Sequence, residues 1–153
     1  MPSFEIQKVE KGTALAAQLL HFVENFSWEE VKEHTVTQLK NWNFEGWETP
    51  FAAVSDGQIV AMATIMKSDY YPLPDIYPWI STIFVSEIHR GKKISGKLID
   101  FANEYAAQLG FSKTYIPSEH AGLYEQYGYR YIKDIVNYGG GTDRLYAKEI
   151  TSL

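Results

Sequence analysis

Apolar residues between Phe4 and Val9 (Phe4, Ile6, Val9) alternate loosely with polar ones, and the run stops at Lys11-Gly12, which predicts a first strand. From Thr13 to Phe26 the period changes. Leu15, Ala16, Leu19, Leu20 and Val23 recur at helical spacing behind Thr13, a residue suited to cap the helix. Ser27 followed by Glu30 has the form of a capping box and predicts a second helix carrying Trp28, Val31 and Leu39, ending before Asn43 to Pro50. Two apolar runs, Phe51 to Val54 and Ile59 to Met66, flank Asp56-Gly57. That pair favours positive φ and predicts an antiparallel hairpin.

Ser68 to Pro78, with three prolines, is expected to be irregular. It leads into Trp79 to Val85, a β-branched and aromatic run predicted to be the central strand. A helix from about Ser95 to Leu109 follows, with Leu98, Ala102, Tyr105 and Leu109 along one face and Gly110 as its stop. Phe111 to Ile116 reads as a strand, His120 to Tyr127 as a short helix stopped by Gly128, and Tyr129 to Val136 as a strand. Gly139 to Thr142 then turns the chain into a last strand, Arg144 to Ile150. The order β-α-α-β-β-β-α-β-α-β-β predicts an α/β (mixed α+β) fold, a twisted, mostly antiparallel sheet of about seven strands flanked by helices. With 153 residues, no internal repeat and no linker-like tract, one domain over residues 1–153 is expected.

Composition narrows the chemistry. The chain has no cysteine, which removes disulfides, thiolate metal sites and a cysteine nucleophile. Its four histidines, His21, His34, His89 and His120, are not paired at metal-ligand spacing, so no metal is expected. A net charge of -5 gives no general attraction to nucleic acid or anionic lipid, and neither is expected as a partner. The N-terminal residues lack the form of a secretory signal, and no apolar run approaches the ~20 residues of a membrane span. A cytoplasmic chain, monomeric or homodimeric, is the expectation.

Against that acidic background, Arg90, Lys92, Lys93 and Lys97 cluster where the central strand gives way to a helix N-terminus. The first turn of a helix carries N–H groups without intrahelical partners and a partial positive charge, an arrangement that receives anions. Gly91 and Gly96 allow close approach of a diphosphate. The spacing fits neither a P-loop nor the dinucleotide fingerprint.

The segment VSEIHRGKKISGKLI resembles the pyrophosphate-binding motif of the GNAT acetyltransferases: an Arg or Gln, two residues, Gly, one residue, then Gly or Ala. Arg90 falls on the first position; Lys93 and Ser95 stand where the family has small residues. Downstream, HAGLYEQYGY is similar to the family's later motif, a short helix bearing a Tyr, then Glu, two residues, Gly and an aromatic. Tyr124 falls on that tyrosine.

The resemblance implies an acetyl-CoA-dependent N-acetyltransferase acting directly on a primary amine of a small molecule or peptide, with acetyl-CoA as co-substrate. It implies that acetyl-CoA inserts where the Trp79–Val85 and Phe111–Ile116 strands splay apart. Backbone groups near Phe84 and Val85 would hold pantetheine and acetyl carbonyl. The amides of Arg90, Gly91, Lys92, Lys93, Ile94, Ser95 and Gly96 would hold the diphosphate, and Tyr124 would serve as general acid for the CoA thiolate. Glu48 and His120 are candidates for the base by residue type alone. The alternative is a non-catalytic acyl-CoA-binding sensor, which the lysine and serine at the two small positions would suit.

Overall fold

The computed structural model describes residues 4–119 and 121–150, the side chain of Glu30 excepted. Seven strands run β1 Glu5–Lys8, β2 Thr49–Ser55, β3 Gln58–Met66, β4 Trp79–Val85, β5 Lys113–Ser118, β6 Arg130–Val136 and β7 Thr142–Glu149. Three α-helices join them: α1 Ala14–Glu24, α2 Glu29–Lys40 and α3 Ile94–Gln108. The sheet order is β1-β2-β3-β4-β5-β7-β6, which puts β4 at the centre as its apolar run predicted. The β4–β5 pair is parallel, in register at Trp79 and Tyr115, while β1–β2, β5–β7 and β6–β7 are antiparallel. No helix among the described residues is long and apolar enough to cross a membrane.

The chain divides into two compact units. The first comprises the described residues up to Thr64 with Thr82–Leu98; the second comprises Ile65–Ser81 and the described residues from Ile99 onward. In the first, the Thr13 hydroxyl accepts the Ala16 N–H at 3.2 Å and caps α1, which buries Leu19 and Val23. Asp56 (φ +51°) and Gly57 (φ +76°) both occupy the left-handed region, as the two-residue hairpin between β2 and β3 requires. Phe84 of β4 gathers three aromatics around it: Phe22 at 5.9 Å, Phe26 at 4.1 Å and Trp28 at 6.5 Å between ring centroids. Such pairs contribute about 0.5–1.5 kcal/mol each beyond their buried area, so β4 is held firmly just before the basic loop.

The second unit is centred on β5 and β7. Trp79 stacks on Tyr71 at 5.4 Å, and both pack with Ile135 and Leu145. At the end of α3, Gly110 (φ +94°) donates its N–H to Ala107 O and Phe111 donates to Ala106 O, the paired bonds of a Schellman stop.

Four sequence expectations shift. The second helix starts one residue later than a Ser27 cap would place it: Trp28 is the N-cap and makes no side-chain capping bond. Trp28 is half-buried and stacks on Phe84 at 6.5 Å, an apolar contact that outweighs one exposed capping hydrogen bond. Leu109 lies beyond α3 and is 46% exposed; the buried face is Leu98, Ile99, Ala102, Asn103, Ala106 and Ala107. The strand expected at Phe111 begins at Lys113, after the two residues that complete the helix stop. The short helix expected over His120 to Tyr127 is only a 3₁₀ turn, Glu125–Tyr127, because Gly122 and Gly128 both take positive φ around it; His120 lies outside the described residues.

Candidate active site

β4 does not run regularly to its end. Thr82 has φ +50°, outside the extended range of a strand, a conformation that costs a β-branched residue about 1–3 kcal/mol. Beyond it, the Ser86 N–H donates to Val60 O at 2.9 Å and anchors the exit of the strand. A 3₁₀ turn, Glu87–His89, follows, with the Ser86 hydroxyl and His89 Nδ1 2.7 Å apart. Arg90 folds back: its Nε donates to Val85 O at 3.0 Å and its guanidinium lies 5.5 Å from the centre of the Phe84 ring. The motif arginine thus fixes the loop's starting point and takes up one lone pair of the Val85 carbonyl, leaving that oxygen a second.

The loop then turns through two left-handed residues, Gly91 at φ +81° and Lys93 at φ +62°. The Lys93 carbonyl accepts the Lys97 N–H at 3.3 Å, which makes Lys93 the cap of α3. Lys97 therefore bonds to the residue that caps the helix, and first-turn amides such as those of Ile94 and Gly96 have no acceptor inside it. Ile94 and Gly96 are buried and fix the turn from below. Lys92, Lys93 and Lys97 are exposed, and none of them forms an ion pair among the described residues. An anion arriving here meets three uncompensated ammonium groups and the positive end of a helix dipole. The residues present therefore fit a diphosphate, and the space over Gly91 is clear to 4 Å of where a Cβ would stand.

In the second unit, Tyr124 opens the 3₁₀ turn. Its carbonyl accepts the N–H groups of Tyr127 (3.0 Å) and Tyr129 (3.2 Å), and its ring sits 6.1 Å from that of Tyr146. Burial, with smaller contributions from Tyr127 and Tyr129, pushes its phenol up to about 12. Also in the second unit, the β6–β7 side of the sheet carries acidic groups. Glu119, Asp134, Thr142, Asp143 and Arg144 line a depression of about 360 Å³. Asp143 accepts a hydrogen bond from the Tyr71 hydroxyl at 2.7 Å and one from Asn137 Nδ2 at 3.2 Å. Burial, the bond to Asp143 and the charges of Asp143, Asp69 and Glu119 push the Tyr71 phenol far above its ordinary range. Asp69, in turn, accepts from the Ser81 hydroxyl and from the Tyr70 N–H.

Residues 12–129 match the model of the Acetyltransferase (GNAT) family. The chain belongs to that family. It is accordingly an acyltransferase, and members of the family use acetyl-CoA. Solved structures agree in fold. An aminoglycoside 6'-acetyltransferase type Ii is 17% identical, with a TM-score of 0.75 over 95% of this chain and 96% of that one. An aminoglycoside 6'-N-acetyltransferase complexed with coenzyme A is 16% identical, with a TM-score of 0.71 over 95% and 96%. An IAA acetyltransferase from Bacillus cereus is 20% identical, with a TM-score of 0.64 over 97% and 100%. No curated protein sequence matches the chain significantly.

The left-handed φ at Lys93 gives the physical reason why the GNAT motif has glycine at that position, and this chain carries a lysine there under strain. Of the two base candidates, Glu48 is spoken for locally: its Oε1 accepts the Glu45 N–H at 2.9 Å and its own N–H returns to Glu45 O. Among the described residues no group of three acidic or histidine side chains is placed to hold a metal. Sequence reading missed Thr82 altogether, since nothing in a Val-Ile-Phe-rich strand announces a left-handed residue. It also missed the carboxylates Glu119, Asp134 and Asp143, which are separated by up to 24 residues (143 minus 119) and meet only through strand pairing.

Proposed function

We propose that the chain, acting as one N-acetyltransferase domain, moves the acetyl group of acetyl-CoA directly onto a primary amine of a small molecule or peptide. The observation that carries this reading is the loop from Arg90 to Gly96: two left-handed residues, a helix N-terminus and unpaired lysines, in a chain of net charge -5. When bound, acetyl-CoA supplies the activated acyl group and a leaving group of thiol acidity. The Arg90 N–H, expected to join the diphosphate amides, is given to Glu87 O at 3.3 Å, so the amides of Gly91 to Gly96 and the ammonium groups of Lys92 and Lys93 would hold the diphosphate while Arg90 braces the loop against Phe84 and Val85. Backbone groups near Phe84 and Val85, just beyond the left-handed Thr82, would hold pantetheine and the acetyl carbonyl; donors so placed stabilise a developing oxyanion.

Tyr124 acts as the acid. With its phenol near 12, it keeps its proton at any working pH. Full transfer to a thiolate of pKa ~8.5 is uphill by about 5 kcal/mol, so Tyr124 donates a hydrogen bond that strengthens as the sulfur gains charge, and passes the proton late. The amine must attack in its neutral form, which for an alkylamine of pKa ~10.4 costs about 4.6 kcal/mol at pH 7. A base, a water chain or a desolvating pocket must offset that.

Calorimetric titration of acetyl-CoA, together with CoA release over a panel of amines by the wild type and Tyr124→Phe, tests the proposal. Binding with release that drops about tenfold or more in the variant is expected. Binding without release on any amine would overturn transfer, wild-type release by the variant would overturn the acid role, and absence of binding would overturn the loop assignment.

A further inference from the structure

Three polar side chains with no part in the chemistry above are buried together in the second unit. Thr114 on β5 is fully buried, Tyr129 is 3% exposed and Asn103 on α3 is 8% exposed. Their contacts close a ring. The Thr114 hydroxyl lies 2.6 Å from Asn103 Oδ1, to which it can donate. Asn103 Nδ2 donates to the Tyr129 oxygen at 3.1 Å. The Tyr129 and Thr114 hydroxyls are 2.7 Å apart, where either can donate, and the phenol has a second acceptor in Asn103 Oδ1 at 3.3 Å. Each of the three side chains is bonded to the other two, so the bonds reinforce one another.

A phenylalanine at 129 would fill the same space with no polar group to satisfy, and the other two residues would need no polar atoms. A buried polar ring is therefore retained at a cost in desolvation unless it fixes a geometry. What it fixes follows from the backbone. The Tyr129 N–H donates to Tyr124 O, so the residue locked by the ring on its side chain holds Tyr124 on its main chain. Lys148 closes the same turn from β7, donating its Nζ to Tyr127 O at 2.9 Å and lying 5.9 Å from the centre of the Tyr129 ring. We propose that Tyr129 is a positioning residue: through the ring with Asn103 and Thr114 it ties the Tyr124 turn to α3 and β5 and so sets where the Tyr124 hydroxyl stands.

The inference rests on the reading of Tyr124 as the acid for its catalytic meaning, but its structural half can be measured without it. Amide hydrogen exchange in Tyr129→Phe and Thr114→Val, with Thr114→Ser as the hydroxyl-keeping control, tests the anchor. Exchange of the Tyr127, Gly128 and Tyr129 amides is expected to rise about tenfold in the first two and stay as wild type in the third. Unchanged exchange in both would overturn the proposal. Kinetics with acetyl-CoA and kanamycin, spermidine and a lysine peptide as probe amines then read the coupling. Tyr129→Phe should lower kcat about tenfold with KM for acetyl-CoA unchanged, since a misplacement of an ångström is sufficient for a loss of that order. In a Tyr124→Phe background the same change should have no further effect. An equal loss in both backgrounds would overturn action through Tyr124. If Tyr124→Phe alone keeps full kcat, or if no probe amine is turned over, the acid or transfer reading has failed instead, and the exchange result decides the anchor by itself.

Discussion

Replacing Lys93 by glycine should make the protein more stable and bind CoA less well. Lys93 sits at φ +62°, exposed, as the cap of α3. An L-residue in the left-handed region costs about 1–2 kcal/mol, and glycine avoids this while giving back about 0.5–1 kcal/mol through the freedom it gains in the unfolded chain. The net backbone gain is about 0.5–1 kcal/mol. The lysine also places a positive charge at the positive end of the α3 dipole and four residues before Lys97; for an exposed group, removing both repulsions adds a few tenths. The sum is about 1 kcal/mol, which for a chain of this size raises Tm by roughly 2–4 °C. Lys93→Ala removes the same charge but keeps the strained φ, so it should recover only the few tenths. Calorimetric CoA titration should show both variants binding about two- to fivefold more weakly, the loss of one partly screened cation–phosphate contact. Denaturant unfolding and CoA titration of the three proteins decide the matter. Equal stability of Gly and Ala variants would refute backbone strain at this position, and undiminished CoA affinity in both would refute a part for the Lys93 ammonium in phosphate binding.

Two further outcomes follow from the turn that carries Tyr124. Gly128→Ala should lose about 1–2 kcal/mol and a few degrees of Tm in thermal unfolding, because Gly128 has φ +90° and an added Cβ would stand 3.1 Å from Lys148 Cε, pressing on the ammonium that bonds Tyr127 O. Alkaline unfolding should report Tyr129, whose phenol burial pushes up to about 12 while its hydrogen bonds to Thr114 and Asn103 pull it back. Because the folded value lies above the ~10 of an unfolded chain, the stability it confers is complete below pH 10 and is lost as pH rises through 12, about 2–3 kcal/mol in all. Urea unfolding at pH 9, 10 and 11 should therefore fall less steeply in Tyr129→Phe than in the wild type; parallel curves would show that this phenol ionises as freely folded as unfolded.

The parts of this protein that were legible in the sequence are those decided within a few residues. Thr13 caps α1, Asp56-Gly57 turns the β2–β3 hairpin and Gly110 stops α3, each because local backbone chemistry admits few alternatives. The basic loop belongs with them, since four cations in a row of eight residues at a strand-to-helix step can be read without knowing what packs nearby. Where a local signal competed with packing, the sequence misled. Ser27 and Glu30 spell a cap, but Trp28 takes the position and reaches Phe84, a residue 56 positions away (84 minus 28). The short helix expected at His120 to Tyr127 contracts to one 3₁₀ turn because two glycines at positive φ bound it. The strained Thr82, the left-handed Lys93 and the Asn103–Thr114–Tyr129 ring were beyond the sequence altogether. Their conformations are imposed by contacts between segments distant along the chain, and only the tertiary structure brings those segments together.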